Sequence, residues 1–191
     1  FGIQSSQKVG PTVADDIKTS AIWSIIFALI AIALYILVRF RNIAFSLGAV
    51  VGLVHDVLFI LGIYSIFYSI MPFSLEIDQS FIAAILTVIG YSINDTVVVF
   101  DRIRENVGLY PKRALNQLIN MSVNSTLSRT FSTSFSTALP LLAMFIFGGE
   151  TIRGFVFAIL LGVIVGTYST IFIASPIAYD IQQKQAKKAQ K

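Results

Sequence analysis

The chain has 191 residues, of which 55% are hydrophobic and only 13% charged, against about 25% charged in a soluble globular domain, and its mean hydropathy is +0.79. Runs of about twenty residues without a charge exclude an ordinary soluble domain and call for a lipid bilayer. With no cysteine and a single histidine, disulfide frameworks, thiolate metal sites and cysteine nucleophiles are excluded and nitrogen ligands are too few for a zinc site, so no metal site is expected, and the net charge of +4 lies in short basic clusters beside apolar runs, the pattern of membrane topology rather than of nucleic-acid binding.

In chain order, residues 1–19 read as the end of an external domain and a lead-in to the first span. Val9, Gly10 and Pro11 make an extended or turn segment, and Thr12 with Asp15 three positions later reads as a helix N-cap, so the first helix is expected to start before the bilayer. A five-helix transmembrane domain over 20–180 follows, with spans at about 20–38, 45–70, 80–100, 127–147 and 154–176, and 181–191 form a basic tail. Each span is long enough to cross roughly 30 Å of hydrocarbon. The first is closed by Arg39 and Arg41; a loop containing Pro72, Glu76 and Asp78 follows the second, and a Gly-Gly pair at 148–149 follows the fourth. Between the third and fourth spans, Ala114, Leu115, Leu118 and Met121 recur at helical spacing after Pro111, which predicts a short helix along the membrane surface.

Positive flanks are retained on the cytoplasmic side. If the first span runs inward, eleven of the 14 Lys and Arg residues fall on that side and only Lys8, Lys18 and Arg153 fall outside. The amino-terminal segment is therefore expected to be external and the basic tail cytoplasmic. Residues 1–18 carry neither an initiator methionine nor a signal-peptide core, so the chain is expected to be part of a longer protein with a preceding span and external domain.

Helix association in lipid depends on small side chains that let backbones approach. Gly154, Ala158, Gly162, Gly166, Thr170 and Ala174 recur at every fourth position of the fifth span, and Gly48 and Gly52 form a second small pair in the second span, continued through His55 and Gly62. These seams announce a helical bundle.

Charges inside spans are the exceptions. Asp95 lies about five residues, or roughly 7 to 8 Å, from the cytoplasmic end of its span, where an acid costs on the order of 3 kcal/mol and marks a pathway, a partner or a buried pair. It shares one broad face with Thr87, Gly90, Tyr91, Asn94 and Asp101. On the fourth span Ser125, Arg129, Ser132, Ser136 and Pro140 form a second polar stripe, expected to face the first, with Pro140 offering a kink. Arg129 has two readings: a snorkelling arginine at the boundary, or the partner of Asp95. Paired with arginine a buried carboxylate stays ionised, and without it the neutral acid is favoured, so an element that makes and breaks the pair would bind and release a proton. His55 and Asp56 stand mid-span; neighbours on a helix point about 100° apart, so at least one lines the interior, and Asp56 reads either as a neutral structural carboxyl or as part of the relay.

The order of motifs then becomes specific: V-G-P-T-V-A-D-D at 9–16, F-R-N at 40–42, G-L-V-H-D at 52–56, I-G-Y-S-I-N-D-T-V-V-V-F-D-R-I-R-E-N at 89–106, N-S-T-L-S-R-T at 124–130, F-G-G-E at 147–150 and G-T-Y-S at 166–169. From about Val9 to Asp180 the chain resembles the SecF family of protein-export membrane proteins, a branch of the resistance-nodulation-division superfamily. The resemblance implies an all-α polytopic bundle matching the last five of six helices, with an external domain between the first and second. It implies a partner, SecD, in an accessory complex of the bacterial Sec translocon in the inner membrane, with SecYEG, YajC, YidC and the exported unfolded polypeptide as further partners. The complex would use the proton or sodium gradient, without a cofactor, to promote export after the ATP-driven step. The family's membrane acid falls on Asp95 in N-D-T and its arginine on Arg129 in S-R-T. Two other classes stand beside this reading: a scaffold whose charges only register helices, and an aspartic-protease dyad of Asp56 and Asp95. The dyad lacks the Tyr-Asp and Gly-x-Gly-Asp motifs of intramembrane proteases, so no enzyme activity is expected.

Overall fold

The computed structural model describes residues 11–189. Helix α1 (Pro11–Phe40) leads into α2 (Ile43–Phe67), α3 (Gln79–Leu109), α4 (Leu115–Phe147) and α5 (Glu150–Ser169); a π-helical turn (Thr170–Ala174) joins α5 to α6 (Ser175–Ala189) without a break. Five helical segments are long and apolar enough to cross a membrane, the last running from Glu150 through Lys188, and there is no strand among the described residues. The fold is an all-α membrane bundle.

Local chemistry sets the boundaries. Between α1 and α2 the chain reverses through Arg41, whose φ of 51° is left-handed and costs a non-glycine residue about 1–2 kcal/mol. Asn42 then caps α2 by accepting from the Ala44 amide at 2.9 Å, which explains the F-R-N motif. Asp78 does the same for α3 through the Phe81 amide at 2.8 Å.

Three sequence expectations change. Thr12, expected as a cap, already lies within α1, and the turn at Val9 and Gly10 falls outside the described residues. The surface helix expected after Pro111 is the first turns of α4 itself: Leu118 and Ile119 are buried because α3 also extends past the span to Leu109 and gives them a helix to pack on. The described part of the basic tail, 181–189, is helical and continues α6 rather than standing apart.

Helices α2, α3 and α5 form the inner part of the bundle, whereas α1 and α4 leave most of their surface outward. The small residues permit the close approaches. A Cβ at Gly48 would lie 2.6 Å from the Ala174 carbonyl oxygen, and one at Gly166 would lie 2.9 Å from the Ser92 hydroxyl; Gly162 backs directly onto Val88. The every-fourth-residue seam is thus divided: Gly154 meets the Ser74 carbonyl of the loop before α3, Gly162 and Gly166 meet α3, and the π-turn end at Ala174 meets α2. Gly62, by contrast, faces open space, so the α2 stripe does not continue that far.

Two apolar cores result. One gathers Leu53, Val57, Ile60, Tyr64, Ile85 and Val88 with α5; the other gathers Ile36, Phe45, Ala49, Val99, Phe100 and Ile103 with the π turn and α6. Between them lies a buried polar layer of Asp56, Ser92, Thr96, Ser169 and Thr170.

Candidate functional site

The polar layer is built where α2, α3 and the π turn meet. Asp56 is fully buried; its Oδ2 accepts from the Ser92 hydroxyl at 2.7 Å and its Oδ1 lies 3.2 Å from His55 Nδ1. Adjacent positions on a helix diverge, and accordingly only Asp56 points inward. His55 is partly exposed, lies beside Phe59 and Tyr168, and folds its ring back to the carboxylate. Next along α3, Thr96 pairs with Thr170 at 2.9 Å while donating or sharing its proton with the Ser92 carbonyl at 3.2 Å. The Ser175 hydroxyl donates to the Thr170 carbonyl at 2.8 Å, which also accepts the Ser175 amide in the i to i+5 pattern of the π turn.

Asp95, three positions after Ser92 and so about 60° round the helix, turns toward α4 instead of α2. Its Oδ1 accepts from the Thr130 hydroxyl of α4 at 2.8 Å. Its Oδ2 is buried and has no hydrogen-bond partner among the described residues. A buried acceptor left unpaired costs about 1–3 kcal/mol, more for a charged group; the other buried side-chain atoms without a partner among the described residues, Arg153 Nε and Gln182 Nε2, are donors, so this oxygen is the one such acceptor among them.

The direct pair expected between Asp95 and Arg129 is not formed. Arg129 is exposed and makes no ion pair among the described residues. With Thr130 turned toward Asp95, its neighbour is rotated by about 100° onto the outer surface of α4. Most of the expected stripe moves with it, although Ser125 still meets α3 by accepting from Arg102 Nε at 3.2 Å. Arg129, Ser132, Ser136 and Pro140 are exposed, and the residues that meet α3 are instead the buried Ser122, Thr126 and Thr130, with Ser122 accepting from Asn106 at 2.7 Å. Serine and threonine occur all round this helix, and several satisfy themselves on its own carbonyls, as Thr133 does on Arg129 at 2.9 Å. Their spacing alone does not say which face is inside.

Asn94 is exposed and forms no side-chain hydrogen bond among the described residues. Asp101, grouped with Asp95 by spacing, belongs to an exposed cluster at the Arg-rich end: it contacts Arg39 at 3.1 Å and Arg104 at 3.5 Å, and both guanidiniums lie over the Phe40 ring at 5.3 and 5.7 Å. Ser92, Thr96, Thr130 and Thr170 were not singled out by charge. Thr130 lay within the S-R-T motif, and Thr170 within the small-residue seam, so their positions carried a signal although their roles did not. No group of three or more acidic or histidine side chains that could hold a metal occurs among the described residues.

The chain was compared with known proteins. A family model described as protein export membrane protein SecD/SecF, C-terminal, matches residues 1–184. The chain is 53% identical over 180 residues to the protein translocase subunit SecF of Rhodothermus marinus, covering 94% of this chain and 58% of that protein. It is 49% identical over 175 residues to the SecF subunit of Rhodobacter capsulatus, covering 92% and 50%. A crystal structure of SecDF in a super-membrane-facing form is similar with a TM-score of 0.79 and 37% identity, covering 96% of this chain and 24% of that one. The chain thus spans little more than half the length of these SecF relatives.

Proposed function

Given that the chain belongs to the SecD/SecF family of protein export membrane proteins, we propose that it forms the membrane part of a SecF-type subunit whose Asp95 binds and releases the coupling ion that drives protein export. The observation that carries this reading is the buried, unpartnered Oδ2 of Asp95, on a carboxylate whose other oxygen is held by Thr130. An unpartnered acceptor in a membrane interior is a place for a proton or a small cation, and intramembrane acids mark such pathways.

In this reading Thr130 holds the carboxylate against α4, and Arg129, next in the chain and on the outer face, moves its charge toward or away from Asp95 as α4 shifts. Each elementary charge crossing the membrane releases about 2.3 kcal/mol per 100 mV, enough in repeated cycles to bias a conformational change. The coupling ion is a proton or sodium; the chain would act without a cofactor and without catalysing a covalent reaction. Its partners would be SecD, as the similarity to SecDF suggests, and the SecYEG translocon with YajC and YidC; the exported unfolded polypeptide would be contacted through the external domain of the full protein. The setting would be the bacterial inner membrane, with the Arg-rich end and α6 cytoplasmic, which the basic residues support.

The test uses the full-length protein with SecD in membrane vesicles, under separate proton and sodium gradients. Asp95→Asn is expected to abolish gradient-stimulated export and ion flux while the complex still assembles. Undiminished stimulation would leave the chain a scaffold whose charges only register helices.

A further inference from the structure

Helices α4 and α5 are closed against each other at one end of the bundle and splayed at the other. Toward the Gly148 end, Phe145 of α4 meets Phe157 of α5 with ring centroids 5.8 Å apart, and both meet Phe73 at 5.4 Å. From Ala138 toward the Arg-rich end the two helices part, and with the π turn and α6 they border a groove of about 950 Å³.

The walls change character along its length. The deep part is apolar, with Phe131 and Phe135 on one side and Ile164, Tyr168 and Phe172 on the other; the two hydroxyls there, Ser134 and Thr167, satisfy each other at 2.5 Å. At the Arg-rich end the lining becomes Asn116, Asn120 and Asn124, one turn apart on α4, with Tyr179 of α6. Lys112 and Arg113 stand just before α4, and Lys184, Lys187 and Lys188 follow Tyr179, with Asp180 the one acid in that stretch of α6. From Leu127 to Ala138 the apolar part runs about 16 Å along the helix, half of a roughly 30 Å hydrocarbon core. Asn124 then falls at headgroup level, with Asn120 and Asn116 beyond it.

We propose that this groove seats one phospholipid of the leaflet at the Arg-rich face. Its phosphate is held by the carboxamides of Asn120 and Asn124, whose NH₂ groups are donors suited to phosphate oxygens, and the lysines on the last turns of α6 at the same face favour an anionic head. One acyl chain lies between Phe131 and Phe135 on α4 and Ile164 and Phe172 on α5 and the π turn. Two features select a lipid over a helix of a partner protein. The groove ends near Ala138, beyond which α4 and α5 converge toward Phe145 and Phe157, and a crossing helix would need it to continue. The polar stripe of Arg129, Ser132 and Ser136 that a partner would cover lies on the opposite side of α4, since Phe131 is two positions, or about 200°, round from Arg129.

The experiment places the full-length protein and its partner in nanodiscs containing phosphatidylglycerol with a diazirine in one acyl chain, and maps photoadducts by peptide mass spectrometry. Adducts are expected on Phe131, Phe135 and Phe172 at about ten times the density on Phe27 and Leu34 of α1, the difference of one order of magnitude in occupancy; Ile164→Trp, which fills the apolar wall, should remove most of that excess. In native mass spectrometry, the Asn120→Leu, Asn124→Leu double variant should lose the phosphatidylglycerol that the unaltered complex retains in detergent. Equal adduct density on α1 and the groove would mean ordinary boundary lipid and overturn the proposal. So would a photoreactive residue at position 135 that crosslinks to the partner chain, or to another span of the full-length protein, instead of to lipid.

Discussion

At the scale of single residues, the bundle treats its two buried carboxylates differently. Asp56 has a partner on each oxygen, whereas Asp95 has one oxygen bonded and one bare. Asp56→Leu leaves the Ser92 hydroxyl without its acceptor in the centre of the bundle and is expected to destabilise the fold by about 2–3 kcal/mol, read as a lowered midpoint of thermal unfolding in detergent. Thr130→Val keeps the shape beside Asp95 and removes only the donor. Interhelical hydrogen bonds in membranes are worth about 1 kcal/mol, so a several-fold drop in gradient-driven flux with unchanged assembly is expected, and Thr130→Ser should restore it. Asp95 was legible in the sequence because a charge inside an apolar run is expensive and therefore rare. Thr130 and Ser92 were not, because a hydroxyl can bond to its own helix and sits almost anywhere at little cost.

At the scale of elements, glycine has two meanings that spacing does not separate. Gly162 lies against the Val88 side chain, and Gly90 faces open space. Gly162→Ala forces Val88 or the whole of α5 to move and should cost about 1–3 kcal/mol; the same replacement at Gly90 should be neutral or stabilise by up to about 1 kcal/mol through helix propensity. Unfolding of the two variants in detergent compares them directly. Val88→Ala in the Gly162→Ala background should recover part of the loss, which a helix-propensity effect would not allow. The every-fourth-residue seam of α5 was readable from sequence, since it needs only one helix. Which neighbour each glycine meets depended on how α2 and α3 lie across it, and the π turn at Thr170–Ala174 had no marker in the residue pattern.

At the scale of the whole molecule, two apolar cores enclose a polar layer, and one polar surface is left outside. Arg129, Ser132 and Ser136 are exposed on a span that otherwise meets lipid, an arrangement that costs free energy unless protein or water covers it. On the proposed pairing with SecD, a cysteine at Ser132 or Ser136 in the full-length protein is expected to crosslink to SecD with a short bifunctional reagent, whereas a cysteine at the exposed Leu34 of α1 should not; the products are separable by gel. The family, the number of spans and the intramembrane acid were all determined by the sequence alone, because apolar length and the expense of buried charge are properties of a single helix in lipid. Only the tertiary structure decided that Arg129 faces outward while Thr130 takes Asp95, and that Ser92 joins α3 to Asp56. Those choices turn on the rotation of one helix against another, and a change of one residue, about 100°, leaves no mark in the pattern of a helix that carries serine and threonine on every side.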